Sequence, residues 1–355
     1  MSAPRDADLL FRAGASTLLK YGVPWRRRRW DPLEAEGPTF SRADAATCAT
    51  FFGRDGLLQV ALANRLRLTF GDPAASLGAA LLLEGSRQNL VLHGRDLTQA
   101  AWTKSTMTAA KDQVGLDGLA NSASSLLATA GNATCLQSVV GGGSTRCTTG
   151  YVRRITGNGE VDMTQDGGGT WTPIGVTSLW TRGQAQVGSM GTQSLGFRLV
   201  TNGDKVAVDF VQNEVGIYAS SPIATGGAAV TRAADSLPFP IGFSQPGVGD
   251  ELSTYVKFDA LWPRTGSDGQ APGVFAVGGT GAWAADGLTG WDTHRASGAA
   301  ELVPRLSPNG NTVSVVNINV PANGVMELLV RLQASGQQHQ LYAELGASSG
   351  LSGLV

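Results

Sequence analysis

Apolar and polar residues alternate along most of this chain in short runs, and turn residues cut the runs apart. The densest stretch is 151–182, YVRRITGNGEVDMTQDGGGTWTPIGVTSLWTR. Residues 151–156 alternate, a Gly-Asn-Gly turn follows, and 160–165 alternate again. Residues 166–169 make a second turn, and the last run carries Trp171, Ile174, Val176, Leu179 and Trp180. Period-two runs bounded by such turns predict antiparallel hairpins. A sheet with one apolar face must bury it, and a second sheet is the usual cover. The pattern therefore predicts an all-β chain built from β-sandwich modules.

Taken in order, residues 1–22 hold the best helix signal. Asp6 or Asp8 can cap it, and Leu9, Leu10, Ala13, Leu18 and Leu19 form a stripe that ends at Gly22. This helix sits in an N-terminal arm, 1–38, followed by a connecting β segment, 39–85. A first sandwich is expected over 86–235 and a second over 236–355. Within the first, strands are expected after Trp102, at 123–130 and at 134–140. A hairpin is expected from 195–200 to 205–212 across Thr201-Asn202-Gly203-Asp204, with a last strand at 215–218. In the second, runs at 252–258, 273–277, 312–320, 325–332 and 340–345 read as strands, with Asn309-Gly310 and Asn323-Gly324 as turns. Phe40-Ser41-Arg42-Ala43-Asp44 is echoed by Val230-Thr231-Arg232-Ala233-Ala234-Asp235, as though each copy marked the start of a related module.

Composition sharpens this picture. Of 355 residues, 48 are glycine and only 15% are charged, which suits an all-β fold rich in tight turns. A net charge of -1 argues against a chain-wide nucleic-acid surface. The basic exception is Trp25-Arg26-Arg27-Arg28-Arg29-Trp30. Three readings stand for it: a nucleic-acid grip, a dock onto an acidic protein surface, or a solvated linker. Asp31, Glu34 and Glu36 follow at once and weaken the first. The three cysteines, Cys48, Cys135 and Cys147, make no disulfide framework. Cys135 and Cys147 flank an expected hairpin where they can face one another, and a free buried pair is the favoured reading. The N-terminus carries Arg5, Asp6 and Asp8 ahead of any apolar run, so no signal peptide is expected. Nor does any run approach the ~20 apolar residues of a membrane span.

Candidate chemistry is sparse. Glu160, Asp162 and Thr164 project to one face of a strand, but Gln165 stands where a sugar-cleaving pair would need its second acid. That makes a wetted sheet face the expectation. The histidines, His93, His294 and His339, lie far apart, and the Asp-Gly pairs match no EF-hand loop. Glycine runs at 141–143 and 167–169 lack the lysine and helix of a phosphate loop. No catalytic residue, metal or cofactor is expected. Of the eight tryptophans, Trp102, Trp171 and Trp180 are expected in the core. Trp283 and Trp291 flank the loop GAWAADGLTGWDTH and are the candidates for stacking on a sugar.

Four stretches carry a resemblance: FSRADAAT with RDGLLQVALANRLRL behind it, LLLEGSRQNLVLHGRDLTQAAWTK, the 151–182 unit, and VAVDFVQNEVGIYASSPIATGGAAVTRAAD. Together they span residues 39–235, and the chain resembles bacteriophage tail-fibre and related virion proteins with concanavalin A-like, jelly-roll lectin modules. The family's more usual VQLE-type segment appears here as Val211-Gln212-Asn213-Glu214. The resemblance implies two jelly-roll-like sandwiches and a virion protein made in the host cytoplasm. It implies partnership with other virion proteins, self-association as a trimer, and binding to a host-surface glycan without membrane insertion. The arm, with Trp25 to Trp30, becomes the expected dock onto the virion. The alternatives are a capsid or tail decoration protein that binds no receptor and, less favoured, a glycan depolymerase.

Overall fold

Strand pattern and burial agree best in the run ATCLQSVV. Ala133, Cys135, Gln137 and Val139 are buried, while Thr134 and Leu136 are half-buried and Ser138 and Val140 exposed. The computed structural model describes residues 40–43, 48–70, 80–189, 191–216 and 219–236, and beyond these the backbone of seven strands between 251 and 345. The arm expected at 1–38, its helix and its arginine run lie outside the described residues, as does the strand expected at 273–277.

Residues 39–238 form one unit. Its early strands are β1 (Thr50–Phe52), β2 (Leu58–Val60), β3 (Arg67–Thr69), β4 (Ala80–Leu82) and β5 (Arg87–Asn89). There follow β6 (Thr103–Ser105), β7 (Met107–Gln113), β8 (Ala123–Ala128), β9 (Ala133–Val140), β10 (Arg146–Thr156) and β11 (Val161–Thr164). The last are β12 (Thr172–Pro173), β13 (Thr181–Ala185), β14 (Thr192–Leu199), β15 (Lys205–Val215) and β16 (Val230–Arg232). Ten of them make two five-stranded antiparallel sheets: a back sheet ordered β13-β10-β15-β8-β7 and a front sheet ordered β12-β11-β14-β9-β6. Cys135, Val161, Met163, Leu195, Phe197 and Leu199 of the front sheet pack against Leu126, Val152, Val206 and Val208 of the back sheet. Each large apolar side chain so buried stabilises the sandwich by about 1.5–3 kcal/mol before entropy is counted. Trp102 and Leu97 join this core from the segment before β6. That segment is pinned by Gln137, whose side chain pairs with the Leu92 backbone as a strand neighbour would (2.7 and 2.8 Å).

Several turns expected to close hairpins are arches between the sheets instead. β10 and β11 lie in different sheets, and so do β14 and β15. Asp204 ties these two arches together by accepting from Arg154 Nη1 (3.0 Å) and from the Gly159 N–H (2.9 Å). A turn followed by alternation looks the same whether the next strand pairs with the last or faces it across a core. β9 and β10 also belong to different sheets, so Cys135 and Cys147 do not share a hairpin; both are buried and free. β15 runs unbroken to Val215 and is buried through residues 206–214, because the back sheet is covered on its outer side as well.

The sequence echo closes one unit instead of opening two. Ser41 and Ser236 form a two-residue antiparallel bridge, and Arg42 pairs with Asp235 beside it. Within, Arg67 joins Asp235 and Glu84, and Arg232 joins Glu84 (3.0 Å).

Farther along, β17 (Glu251–Asp259), β22 (Val325–Ser335) and β23 (Gln338–Leu345) form a three-stranded antiparallel sheet. Of the intervening strands, β18 (Glu301–Leu302) pairs with β21 (Ile318–Asn319), and β19 (Arg305–Leu306) pairs with β20 (Val313–Ser314). Within the strand expected at 312–320, β20 and β21 are described and pair with different partners; the turn expected at Asn309-Gly310 lies outside the described residues.

Candidate functional site

The two outer faces of the sandwich differ. On the back sheet, Tyr151 and Phe210 are covered by Phe52, Leu58 and Leu116, which arrive from the β1–β2 pair and the β7–β8 loop. Phe52 meets Tyr151 edge-on at 6.1 Å, and the Arg95 guanidinium stacks on Phe210 at 4.2 Å while gripping Asp209 through two bonds (2.7 and 3.0 Å). Trp180 packs at the margin of this layer under Arg153, not in the inter-sheet core. The front sheet keeps its outer face accessible. Register places Thr103, Ser105, Thr134, Leu136, Ser138 and Ser194 on that face, and each is exposed or half-buried.

The chemistry of the front face gathers where β11 meets β14. Asp162 lies directly opposite Arg198. Its Oδ2 accepts from Arg198 Nε (2.8 Å) and lies 2.7 Å from Arg198 Nη2. The guanidinium lies over the Trp171 ring at 4.6 Å. Trp171 reaches that position because the 166–170 turn folds back under it. Asp166 Oδ1 accepts from Thr164 Oγ1 and from the Thr170 N–H (both 2.8 Å), and Gly168 lies so close that a Cβ there would sit 2.9 Å from the indole. Glu160 stands exposed beside Asp162. A hydrogen bond shared with Asp162, and that residue's charge, push the Glu160 carboxyl above its usual value. Asp162 itself is buried, and apart from the hydrogen bond shared with Glu160 its Oδ1 has no hydrogen-bond partner.

The result is a rigid cluster at a solvent-facing edge. Arg198 is fixed by an ion pair and a stacked ring, so its guanidinium is held in place for a ligand. Glu160, which is exposed, supplies an acceptor. Serine and threonine hydroxyls supply further donors and acceptors across the sheet. Such a surface suits a polyhydroxylated ligand laid flat along it. Among the described residues, no group of three or more His, Cys, Asp or Glu is placed to hold a metal.

Glu160, Asp162 and Thr164 do share a face, but only Glu160 is wetted; Asp162 and Thr164 are buried beneath Arg198 and the 166–170 turn. Trp171, expected in the core, is half-buried on the outer face as the platform for Arg198. Of the three indoles assigned to the core, Trp102 is the one found there. Trp25 to Trp30, Trp283 and Trp291 lie outside the described residues. Arg198 escaped sequence reading because nothing local links it to Asp162, which is 36 positions away.

No protein-family model and no curated protein matches the chain. Two solved structures share distant likeness. One is the CBM22-1 xylan-binding domain from Paenibacillus barcinonensis Xyn10C, at 16% identity over 37% of this chain and 94% of that chain, with a TM-score of 0.28. The other is the enzymatically active domain of Bacteriophage CBA120 tailspike protein 4, at 15% identity over 36% of this chain and 21% of that chain, also with a TM-score of 0.28. At these scores neither likeness bears on what this chain binds.

Proposed function

We propose that the chain is a virion structural protein, tail-fibre or spike-like, that is held to the particle by residues 1–38 and presents β-sandwich modules to host-surface glycans. The observation that carries the binding role is the front-face cluster, where the exposed Glu160 carboxylate lies beside a guanidinium immobilised by a buried acid and a stacked indole. Sugars are recognised by such fixed polar groups, since each hydroxyl both donates and accepts. The resemblance of residues 39–235 to tail-fibre proteins supplies the virion setting, other virion proteins as partners, and assembly as a homo-trimer. Trp283 and Trp291 would extend the contact from a second, C-terminal jelly-roll-like module.

The role is binding, not hydrolysis. Asp162 is buried and held in an ion pair by Arg198, so it is not free to act across a sugar bond as the second carboxyl of a retaining pair. Host glycans incubated with the full chain are expected to release no reducing sugar. A chain lacking residues 1–38 is expected to bind glycan yet fail to enter particles. Incorporation of the truncated chain would remove the docking role, and particle incorporation without glycan binding by the full chain would favour decoration.

A further inference from the structure

A second group of polar side chains lies inside the sandwich, at the end where β9 crosses to β10. Arg146 opens β10 and is only 7% exposed. Its Nε donates to the Gly141 carbonyl (2.9 Å), but its Nη1 is buried without a partner. Among the described residues no carboxylate pairs with it, and burial pulls the group's pKa below its usual value. Beside it, Gln165 donates to both the Arg146 carbonyl and Gln193 Oε1 (3.1 Å each). Asn213 Nδ2 donates to the same Gln193 oxygen (2.7 Å) and to Thr148 Oγ1 (2.9 Å). Gln193 Nε2 and Asn213 Oδ1 are both buried without partners. Two of these orphaned atoms, on Gln193 and Asn213, thus lie in one hydrogen-bonded group that is joined to the Arg146 backbone.

Buried polar atoms are nearly always satisfied, and a buried charge left unpaired carries a heavy desolvation cost. The other buried arginines of this unit, Arg42, Arg67 and Arg232, each meet a carboxylate, although Arg67 Nε and Arg232 Nε are themselves without partners. Arg146 meets none among the described residues, and Gln193, linked to its backbone carbonyl through Gln165, adds an unpartnered neutral donor. The glycine turn 141–143 leaves the patch close to the surface, because Gly142 and Gly143 are exposed while Gly141 is tied to the Gly191 carbonyl (2.7 Å). We propose that this end of the core is a binding site for a small monovalent anion of halide size, held against Arg146 Nη1. With only 7% of Arg146 exposed, the opening suits a small ligand, and a single unpaired cation calls for a single negative charge.

Chloride exchanged for gluconate at constant ionic strength tests this on the full chain. Wild type should show a saturable rise in Tm with chloride, since a ligand that binds only the folded state stabilises it. Arg146→Met, which keeps the length and removes the charge, should lose that rise. Bromide diffraction from wild-type crystals keeps the test decisive should the variant fail to fold: an anomalous peak is expected within hydrogen-bonding distance of Arg146 Nη1. A chloride-independent Tm, a response unchanged in Arg146→Met, or water or another copy's carboxylate at that position would each overturn the proposal.

Discussion

Arg42 Nη1 lies 3.2 Å from Asp235 Oδ1, although 193 positions separate the two residues. Both side chains are fully buried, and Asp235 also takes Arg67 on its second oxygen. The pair closes the unit at its two ends, beside the Ser41–Ser236 bridge (2.8 and 2.9 Å). Asp235→Asn would leave two guanidiniums short of a counter-charge. It should cost about 3–5 kcal/mol, as loss of one partner of a buried pair does. Urea denaturation followed by tryptophan fluorescence measures this, and an unchanged midpoint would show that the closure contributes nothing.

Glu84 ties the same network to pH. Burial acts to raise its carboxyl, but the charges of Arg232 and Arg67, with hydrogen bonds from Ser221, outweigh burial and hold it below its usual value. A carboxyl lowered in the folded state contributes stability that is complete above the unfolded value, about 4.3, and is lost as pH falls through the folded value. Wild type should therefore lose stability more steeply below about pH 4 than Glu84→Gln, which starts lower because Arg67 and Arg232 lose a shared partner. Denaturation midpoints across that range should converge as the pH falls. Parallel curves would contradict the assignment.

Gly196 tests the front sheet from within. Its φ is +151°, and a Cβ there would overlap the Cys135 carbonyl oxygen on the neighbouring strand. Gly196→Ala should cost more than about 3 kcal/mol through strain and a forced shift of β9. Gly175→Ala, where a Cβ meets nothing within 4 Å, should stay within about 0.5 kcal/mol of wild type. Equal midpoints for the two variants would mean that β9 and β14 are not packed as described.

Trp283 and Trp291 provide a separate check on the C-terminal module. Replacing both with alanine is expected to weaken binding to glycan or host cells about tenfold while leaving the unfolding curve in place. Full binding by the double variant would take both indoles out of the contact.

Some of this was legible in the residues and some was not. Alternation placed β9, β14 and the start of β15 correctly, and it put Glu160, Asp162 and Thr164 on one face. It said nothing about which sheet each strand joined, because the Gly157–Glu160 and Thr201–Asp204 turns serve arches as readily as hairpins. Trp171 was misplaced for a related reason. A large ring looks like core until a cross-strand arginine needs something to lie on. The Arg42 and Arg232 echo was visible, but its meaning depended on contacts more than 140 positions apart, such as Arg232 with the Gly85 carbonyl, 147 positions away.

The proposed binding of glycan to the front face can be measured directly. The direct measurement is titration calorimetry of the full chain with the best ligand from a host-glycan array, run on wild type, Glu160→Gln and Arg198→Lys. Glu160→Gln removes an exposed acceptor, and Arg198→Lys keeps a charge for Asp162 while losing the planar fork that lies on Trp171. Both variants are expected to keep the wild-type unfolding midpoint to within about 1 kcal/mol and to bind about tenfold more weakly. A wild type that binds no glycan, or variants that bind as tightly as it does, would contradict the account.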